Sequence, residues 1–220
     1  NRLNGHKVFV SALEEDSILL VYAQRAGEPV VVAIDASNDG ISIKRFATAH
    51  GSYSEVQFDN ALLREGEPLL SGAAASDALH EALAISRVAV SAQLAGIARA
   101  CLEQTVDYVN QRVQFGRPIG SFQSVKHRCV DLRIGVELAE ASWREAAEQL
   151  AAGGGAALPA VYAAKARCSD IARQVGKEAV QLHGAMGFTE ECDIGLFLRA
   201  ALQYSSWLGS PAAMRRHFMT

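Results

Sequence analysis

Residues 72–118 read GAAASDALHEALAISRVAVSAQLAGIARACLEQTVDYVNQRVQFGRP, and this stretch divides the chain into two kinds of structure. Gly72-Ala73-Ala74-Ala75-Ser76 is a composition break. After it, Leu83, Val88, Leu94, Ile97, Cys101 and Val109 recur at spacings that suit buried contacts of one long helix. That helix is expected over about 77–114, stopped by Gly116-Arg117-Pro118. Downstream, Ser121 is expected to cap a second helix running to about 151. Gly153-Gly154-Gly155 forms a loop, and Pro159 sits in the first turn of a third helix that ends at Gly184. A fourth helix is expected over 193–206, and Ser210-Pro211 reads as the cap and first residue of a terminal one. Long helices joined by short loops imply a four-helix-type bundle.

Upstream of residue 72 the period changes to two. Strands are expected at 7–11, 17–23, 29–34, 41–43 and 53–58, with turns at Gly27-Glu28-Pro29 and Asn38-Asp39-Gly40. Short strands between turns predict an antiparallel sheet or partial barrel. The expected fold class is α+β: a β domain over 1–72, then a C-terminal α-helical bundle over 73–220.

Composition limits the function. The 220 residues carry 24 acids and 21 bases, a net charge of −3, which gives no electrostatic case for nucleic acid or an anionic membrane. No apolar run is expected to reach the roughly 18 residues of a membrane span. Cys101, Cys129, Cys168 and Cys192 form no CxxC pair, so packed, reduced thiols of a cytoplasmic protein are expected rather than zinc ligands or disulfides. His183 has no His or Cys partner at helical spacing and reads as structural, not as a metal ligand. Glu14-Glu15-Asp16 and Glu190-Glu191 are paired acids of the kind usually solvated in loops.

Two segments could carry chemistry. In Gln111-Arg112-Val113-Gln114-Phe115-Gly116-Arg117-Pro118-Ile119-Gly120, followed by Phe122-Gln123, a forked Arg and an aromatic at a helix end suit a diphosphate-containing nucleotide. An ordinary helix stop with a solvated Arg explains the same letters. In Gln181-Leu182-His183-Gly184-Ala185-Met186-Gly187-Phe188, the glycines admit close backbone approach to a ligand. A helix C-cap and turn is the plainer reading.

Together the two segments resemble the acyl-CoA dehydrogenase family. YVNQRVQFGRPIGSFQSVKHRCVDL (108–132) is similar to its R-x-x-F-G-x-P-x-x-x-x-Q segment, EAVQLHGAMGFTEE (178–191) to its Q-x-x-G-G-x-G-F/Y segment, and RLNGHKVFVS (2–11) to its L-N-G-x-K-x-W/F-I-T segment. The resemblance implies an FAD enzyme that removes the α and β hydrogens of an acyl-CoA, active in fatty acid or steroid degradation, with electron-transfer flavoprotein as acceptor. It also implies that the family's N-terminal helical domain and first sheet segment lie upstream of this chain.

Carried over residue by residue, the resemblance puts Arg112 and Phe115 at the FAD diphosphate and adenine side, and Gln123 at the FAD of the same or a neighbouring subunit. Gln181, Gly184 and Ala185 would line the adenosine end across a dimer, Ala185 standing where the family has a second Gly. Phe9 and Ser11 match residues beside the flavin ring, and Gly209 and Ser210 the Gly-Thr after the catalytic position. Arg87 is carried over as substrate-binding.

The family's Glu falls, without a gap, on Leu208, and its alternative position, directly before Arg87, on Ser86. Neither side chain is a general base. The expectation is therefore a subunit of a heteromeric acyl-CoA dehydrogenase, an α2β2 heterotetramer with a homologous subunit that supplies the Glu and shares the FAD. Such pairs are a feature of actinobacterial steroid-CoA side-chain degradation, with which the Arg- and Ala-rich composition agrees. The alternatives are a homomer with a relocated base, Glu81 or Glu191, or a scaffold subunit that binds no flavin.

Overall fold

A computed structural model of the chain describes residues 1–11, 13–14, 16–48, 51–63, 68–153 and 157–219. Glu15 of the acidic loop and Gly154-Gly155 of the glycine loop lie outside the described residues. The chain separates into two compact units, Asn1–Ala82 and Leu83–Thr220.

The first unit holds β1 (Arg2–Ser11), β2 (Ile18–Arg25), β3 (Glu28–Asp35), β4 (Ile41–Thr48), β5 (Gly51–Leu62) and β6 (Leu70–Ser71). All pairings are antiparallel, in two three-stranded sheets ordered β1-β5-β4 and β2-β3-β6. Val56, Phe58, Ala61 and Leu3 of the first sheet meet Val21, Val30, Val32 and Ile34 of the second in one core. The expected partial barrel is thus two sheets face to face, each lending one side of its strands.

Two turns explain the register. Arg25 pairs with Glu28, leaving Ala26-Gly27 as a two-residue loop, both with left-handed backbone (φ 51° and 86°). The expected turn at Gly27-Glu28-Pro29 moves back one residue, because a primed turn matches strand twist and Pro29 is already a strand residue facing Gln24. At the second turn, Asn38 Oδ1 accepts from the Gly40 amide (3.0 Å) while its Nδ2 donates to the Leu62 carbonyl (2.9 Å). A β-carbon on Gly40 would lie 2.4 Å from the Ala61 Cα, so only glycine fits there.

The long helix, α1, spans Ala73–Gln111, and α2 Gln123–Ala152, α3 Ala157–His183, α4 Ile194–Ser206 and α5 Pro211–Met219. In the second unit, Leu94, Ala98 and Cys101 of α1, Leu132 and Val136 of α2, Cys168 and Val175 of α3 and Ile194 and Ala201 of α4 form one buried cluster. Each such Leu, Ile or Val contributes about 1.5–3 kcal/mol by leaving water. By length and apolar composition alone α1 could cross a membrane, but its Leu94, Ala95, Ala98, Cys101 and Leu102 are buried, as in the core helix of a bundle.

Three helix boundaries differ from expectation, the first being the start of α1, at Ala73 rather than about 77. Helix α1 ends at Gln111, three residues early, because 113–118 fold back as a hairpin, β7 (Val113–Gln114) against β8 (Arg117–Pro118). Ser121 does not cap α2. It closes a short 3-10 turn, Phe122 takes the N-cap position without a side-chain bond, and the Ser121 Oγ is buried with no hydrogen-bond partner. By contrast, Ser210 Oγ accepts from the Ala213 amide (3.2 Å), capping α5 as Ser-Pro predicts.

Candidate functional site

The β7–β8 hairpin turns through Phe115-Gly116, both left-handed (φ 54° and 76°), and the Ile119 amide donates to the Arg112 carbonyl (2.8 Å) at its base. A non-glycine residue in that conformation costs about 1–2 kcal/mol. Phe115 bears this cost while 91% exposed, so burial does not repay it. Its ring meets Phe122 edge to face (6.1 Å), and the Arg117 guanidinium sits over Phe122 at 4.2 Å. The result is a strained aromatic flanked by Arg112 and Arg117, all facing solvent, with exposed Gln123 opening α2. Strain held in place by its surroundings is a mark of functional segments.

The second segment lies at the same end of the bundle. Tyr108, one turn before Arg112, stacks on His183 at the end of α3 (4.2 Å, 21°), and its hydroxyl donates to the His183 carbonyl (3.3 Å). His183 is buried, and its Nδ1–H donates to the Ala179 carbonyl (2.8 Å). Stacking and hydrogen bond together occupy it as a structural residue. Gly184 follows with φ 59° and open space where a side chain would stand, and Gln181, Gly184 and Ala185 are exposed. Ala185 lies in a 3-10 turn and needs no left-handed backbone, so the family's second glycine is dispensable to the fold here. Gly187 is constrained: a β-carbon there would lie 2.8 Å from the Val180 carbonyl oxygen. Beyond it a cavity of about 440 Å³ is lined by Val180, Gly187, Phe188, Thr189, Glu190 and Arg199, among others.

Leu208 belongs to the other end. It sits past the C-terminus of α4, left-handed at φ 58°, followed by Gly209 at φ 117°. Its side chain packs against the bundle core with Tyr204 and Trp207. The Arg87 Nε donates to the Leu208 carbonyl (3.1 Å), and the Arg87 guanidinium lies 5.5 Å from the centre of the Tyr162 ring. Beneath the turn lies Lys165, fully buried, a residue that sequence reasoning missed. Its Nζ donates toward the carbonyls of Tyr204 (3.2 Å), Ser205 (3.1 Å) and Gly209 (3.3 Å) and the Ser169 hydroxyl (3.1 Å). Burial first, then the Arg87 charge, pull its pKa down to about 8, with Cys168 opposing. The available signal was a lone cation in the small-residue run Ala163-Ala164-Lys165-Ala166, which periodicity reads as surface.

From Lys165 to His183 is 18 residues of one helix, roughly 27 Å at 1.5 Å per residue. The Arg112–Gln123 and Gln181–Ala185 groups therefore share one end of the bundle, and Arg87, Leu208, Gly209 and Ser210 share the other. Glu191 precedes α4 and Leu208 follows it, about 20 Å apart along 13 residues. Glu81 and Glu191 are both exposed. In the first unit, Phe9 occupies a β-bulge: Lys7 pairs with Val56 and Val10 with Ser54, leaving Val8 and Phe9 opposite one residue. Phe9 is left-handed (φ 57°) and 60% exposed, its ring edge-on to Phe46 (5.9 Å) and Tyr53 (6.1 Å). Ser11 ends β1 opposite Tyr53, exposed.

All four cysteines are free. Burial pushes the Cys101 and Cys168 thiols up to about 12, and Cys168 donates to the Ala139 carbonyl (3.3 Å), so both are packed and unreactive.

Known proteins bear on these groups. The family described as "Acyl-CoA dehydrogenase, C-terminal domain" matches residues 76–219. An acyl-CoA dehydrogenase of Bacillus subtilis is 31% identical over 211 residues, covering 90% of this chain and 55% of the relative. Among solved structures, the ChsE4-ChsE5 complex from Mycobacterium tuberculosis superposes with a TM-score of 0.88 at 25% identity, over 99% of this chain and 58% of that one. A structure described as the Tcur3481-Tcur3483 steroid ACAD superposes with a TM-score of 0.86 at 27% identity, over 99% and 58%. The chain thus spans a little over half the length of these relatives.

Proposed function

Because the chain belongs to the acyl-CoA dehydrogenase family, we propose that it is one subunit of an FAD-dependent acyl-CoA dehydrogenase that works only with a homologous partner. The observation that carries this reading is the pairing of retained nucleotide-type groups with leucine at position 208. The exposed Arg112, the displayed Phe115 ring and the open Gly184 backbone fit an extended dinucleotide with an anionic middle. They lie at the opposite end of the bundle from the Leu208 turn, with roughly 27 Å of α3 between Lys165 and His183. In this proposal the two ends serve two different flavins, which calls for more than one subunit.

In this reading Arg112 holds the diphosphate, Phe115 stacks at the adenine side, and Gln123, Gln181, Gly184 and Ala185 complete the adenosine end. Phe9 and Ser11 are assigned to the flavin ring, and Gly209 and Ser210 to the turn after position 208. When bound, FAD supplies the acceptor for the β hydride. The chain's own part is to bind and orient: Arg87 holds the 208 turn and faces the thioester side. Leu208 and Ser86 take no proton, so the α proton passes to a carboxylate of the partner subunit. Cytoplasmic location, an α2β2 assembly, electron-transfer flavoprotein as acceptor and a steroid side-chain CoA substrate belong to the same proposal. The similarity to the ChsE4-ChsE5 complex and to the Tcur3481-Tcur3483 steroid ACAD supports the two-component assembly and the steroid substrate.

The test is expression of the chain alone and with a homologous acyl-CoA dehydrogenase subunit, followed by flavin absorbance and native mass. A colourless single chain and a yellow α2β2 complex are expected. Full dehydrogenase activity of the single chain would overturn the proposal, and its loss on Glu81→Gln or Glu191→Gln would place the base here. A complex without flavin would leave the scaffold role.

A further inference from the structure

We propose that Lys165, aided by Arg87, is a positioning residue that sets the backbone of the Trp207–Ser210 turn and so the direction of side chain 208. A cation at a helix C-terminus is ordinary, and the Tyr204 and Ser205 carbonyls at the end of α4 would by themselves be a cap. Here the same ammonium also reaches the Gly209 carbonyl, beyond the helix, while Arg87 takes the Leu208 carbonyl between them. Two side chains from α3 and α1 thus gather four carbonyls of one short segment. Between the gathered groups the backbone is left-handed at both Leu208 and Gly209, which a leucine does not adopt on its own account. The conformation is imposed, and the cations are what impose it.

A filler role does not explain Lys165. The residue is fully buried, and an apolar side chain of the same length would fill the space without the cost of burying charge. An ammonium has three hydrogens, and four acceptors lie within reach, so every donor is engaged. Arg167 on α3 acts on the Cys168 thiol, and other charges around α3 are in ion pairs. Glu140 on α2 pairs with Arg99 and Arg144, and Arg215 on α5 with Asp170. Arg87 on α1 and Cys168 on α3 are the groups that act on Lys165, in opposite directions. The meaning of the clamp for acyl-CoA chemistry rests on the function proposed above; its geometry does not.

Trp207, next to Leu208, reports on the turn, and Trp143 is the chain's other tryptophan. The full chain is labelled with 5-fluorotryptophan and its two fluorine resonances are assigned with Trp143→Phe. Lys165→Met keeps the length and removes the donors. The expected result is an unmoved Trp143 resonance, a Trp207 resonance displaced toward its denatured position, and about tenfold faster amide exchange in the turn, the scale of one lost hydrogen bond. In the unsubstituted chain, raising the pH through about 8 turns the ammonium into an amine with two donors, and the Trp207 resonance should move. In Lys165→Met it should stay flat. A Trp207 resonance unchanged by both the substitution and the titration overturns the clamp. Should Lys165→Met fail to fold, the titration of the unsubstituted chain decides. A co-expressed complex without flavin would refute the functional reading and leave the fluorine result standing.

Discussion

Leu208 concentrates the protein's central question in one residue. It occupies a left-handed backbone and yet spends its side chain on the bundle core. These two facts oppose each other energetically and can be separated. Leu208→Ala keeps the strain and removes the packing, so it should cost about 1–2 kcal/mol, the value of a partly buried leucine. Leu208→Gly removes the packing but also the strain, and should recover about 1 kcal/mol relative to the alanine variant. Urea midpoints measure both. A glycine variant less stable than the alanine variant would mean that the turn is not strained. Lys165 shows the complementary principle: a charge is kept in a dry interior where it donates to backbone carbonyls at the end of α4.

At the scale of elements, the candidate site residues gather where regular structure ends. The β7–β8 hairpin, the 3-10 turn after α3, the turn after α4 and the bulge in β1 each hold non-glycine or glycine residues at positive φ. Not all such positions are functional. Ala26, in the β2–β3 turn, pays the same conformational cost beside an ordinary hairpin. Asparagine is favoured at that place in a primed turn, so Ala26→Asn should raise stability by about 0.5–1 kcal/mol, read as a higher Tm with unchanged far-UV circular dichroism. An unchanged or lower Tm would show that Ala26 makes contacts worth more than the strain. Phe115-Gly116 is a two-residue hairpin loop of the same kind, and Phe115 differs in placing a large exposed aromatic ring between Arg112 and Arg117.

For the whole molecule, roughly 27 Å of α3 between Lys165 and His183 separates the two groups of candidate residues, and the proposed assembly has a flavin-binding test. In the co-purified complex, Arg112→Ala should weaken flavin retention by about tenfold or more, the value of a charge-assisted contact, while subunit stoichiometry stays as before. Flavin content by absorbance and native mass check the two arms, and a complex with full flavin would remove Arg112 from the site. Much of the architecture was legible in the chain. Period-two runs before residue 72 and the apolar spacing after it gave β then α, because burial of one face repeats with the geometry of each element. Proline, glycine and serine placed the starts of α3 and α5 and the end of α3. The sequence also showed, through resemblance, that positions 208 and 86 hold no base. What it hid were the features made by distant partners. The hairpin that ends α1 early depends on backbone pairing across 113–118, and Ser121 lost its capping role to a 3-10 turn. Lys165 carried no signal of its burial, since nothing local announces that carbonyls forty residues away will enclose it. Local propensity and periodicity are properties of neighbours in the chain, and the sequence alone determined those. Burial of a charge, and the bending of Leu208 into a left-handed turn, arise only when α1, α3 and α4 are brought together, and the tertiary structure decided them.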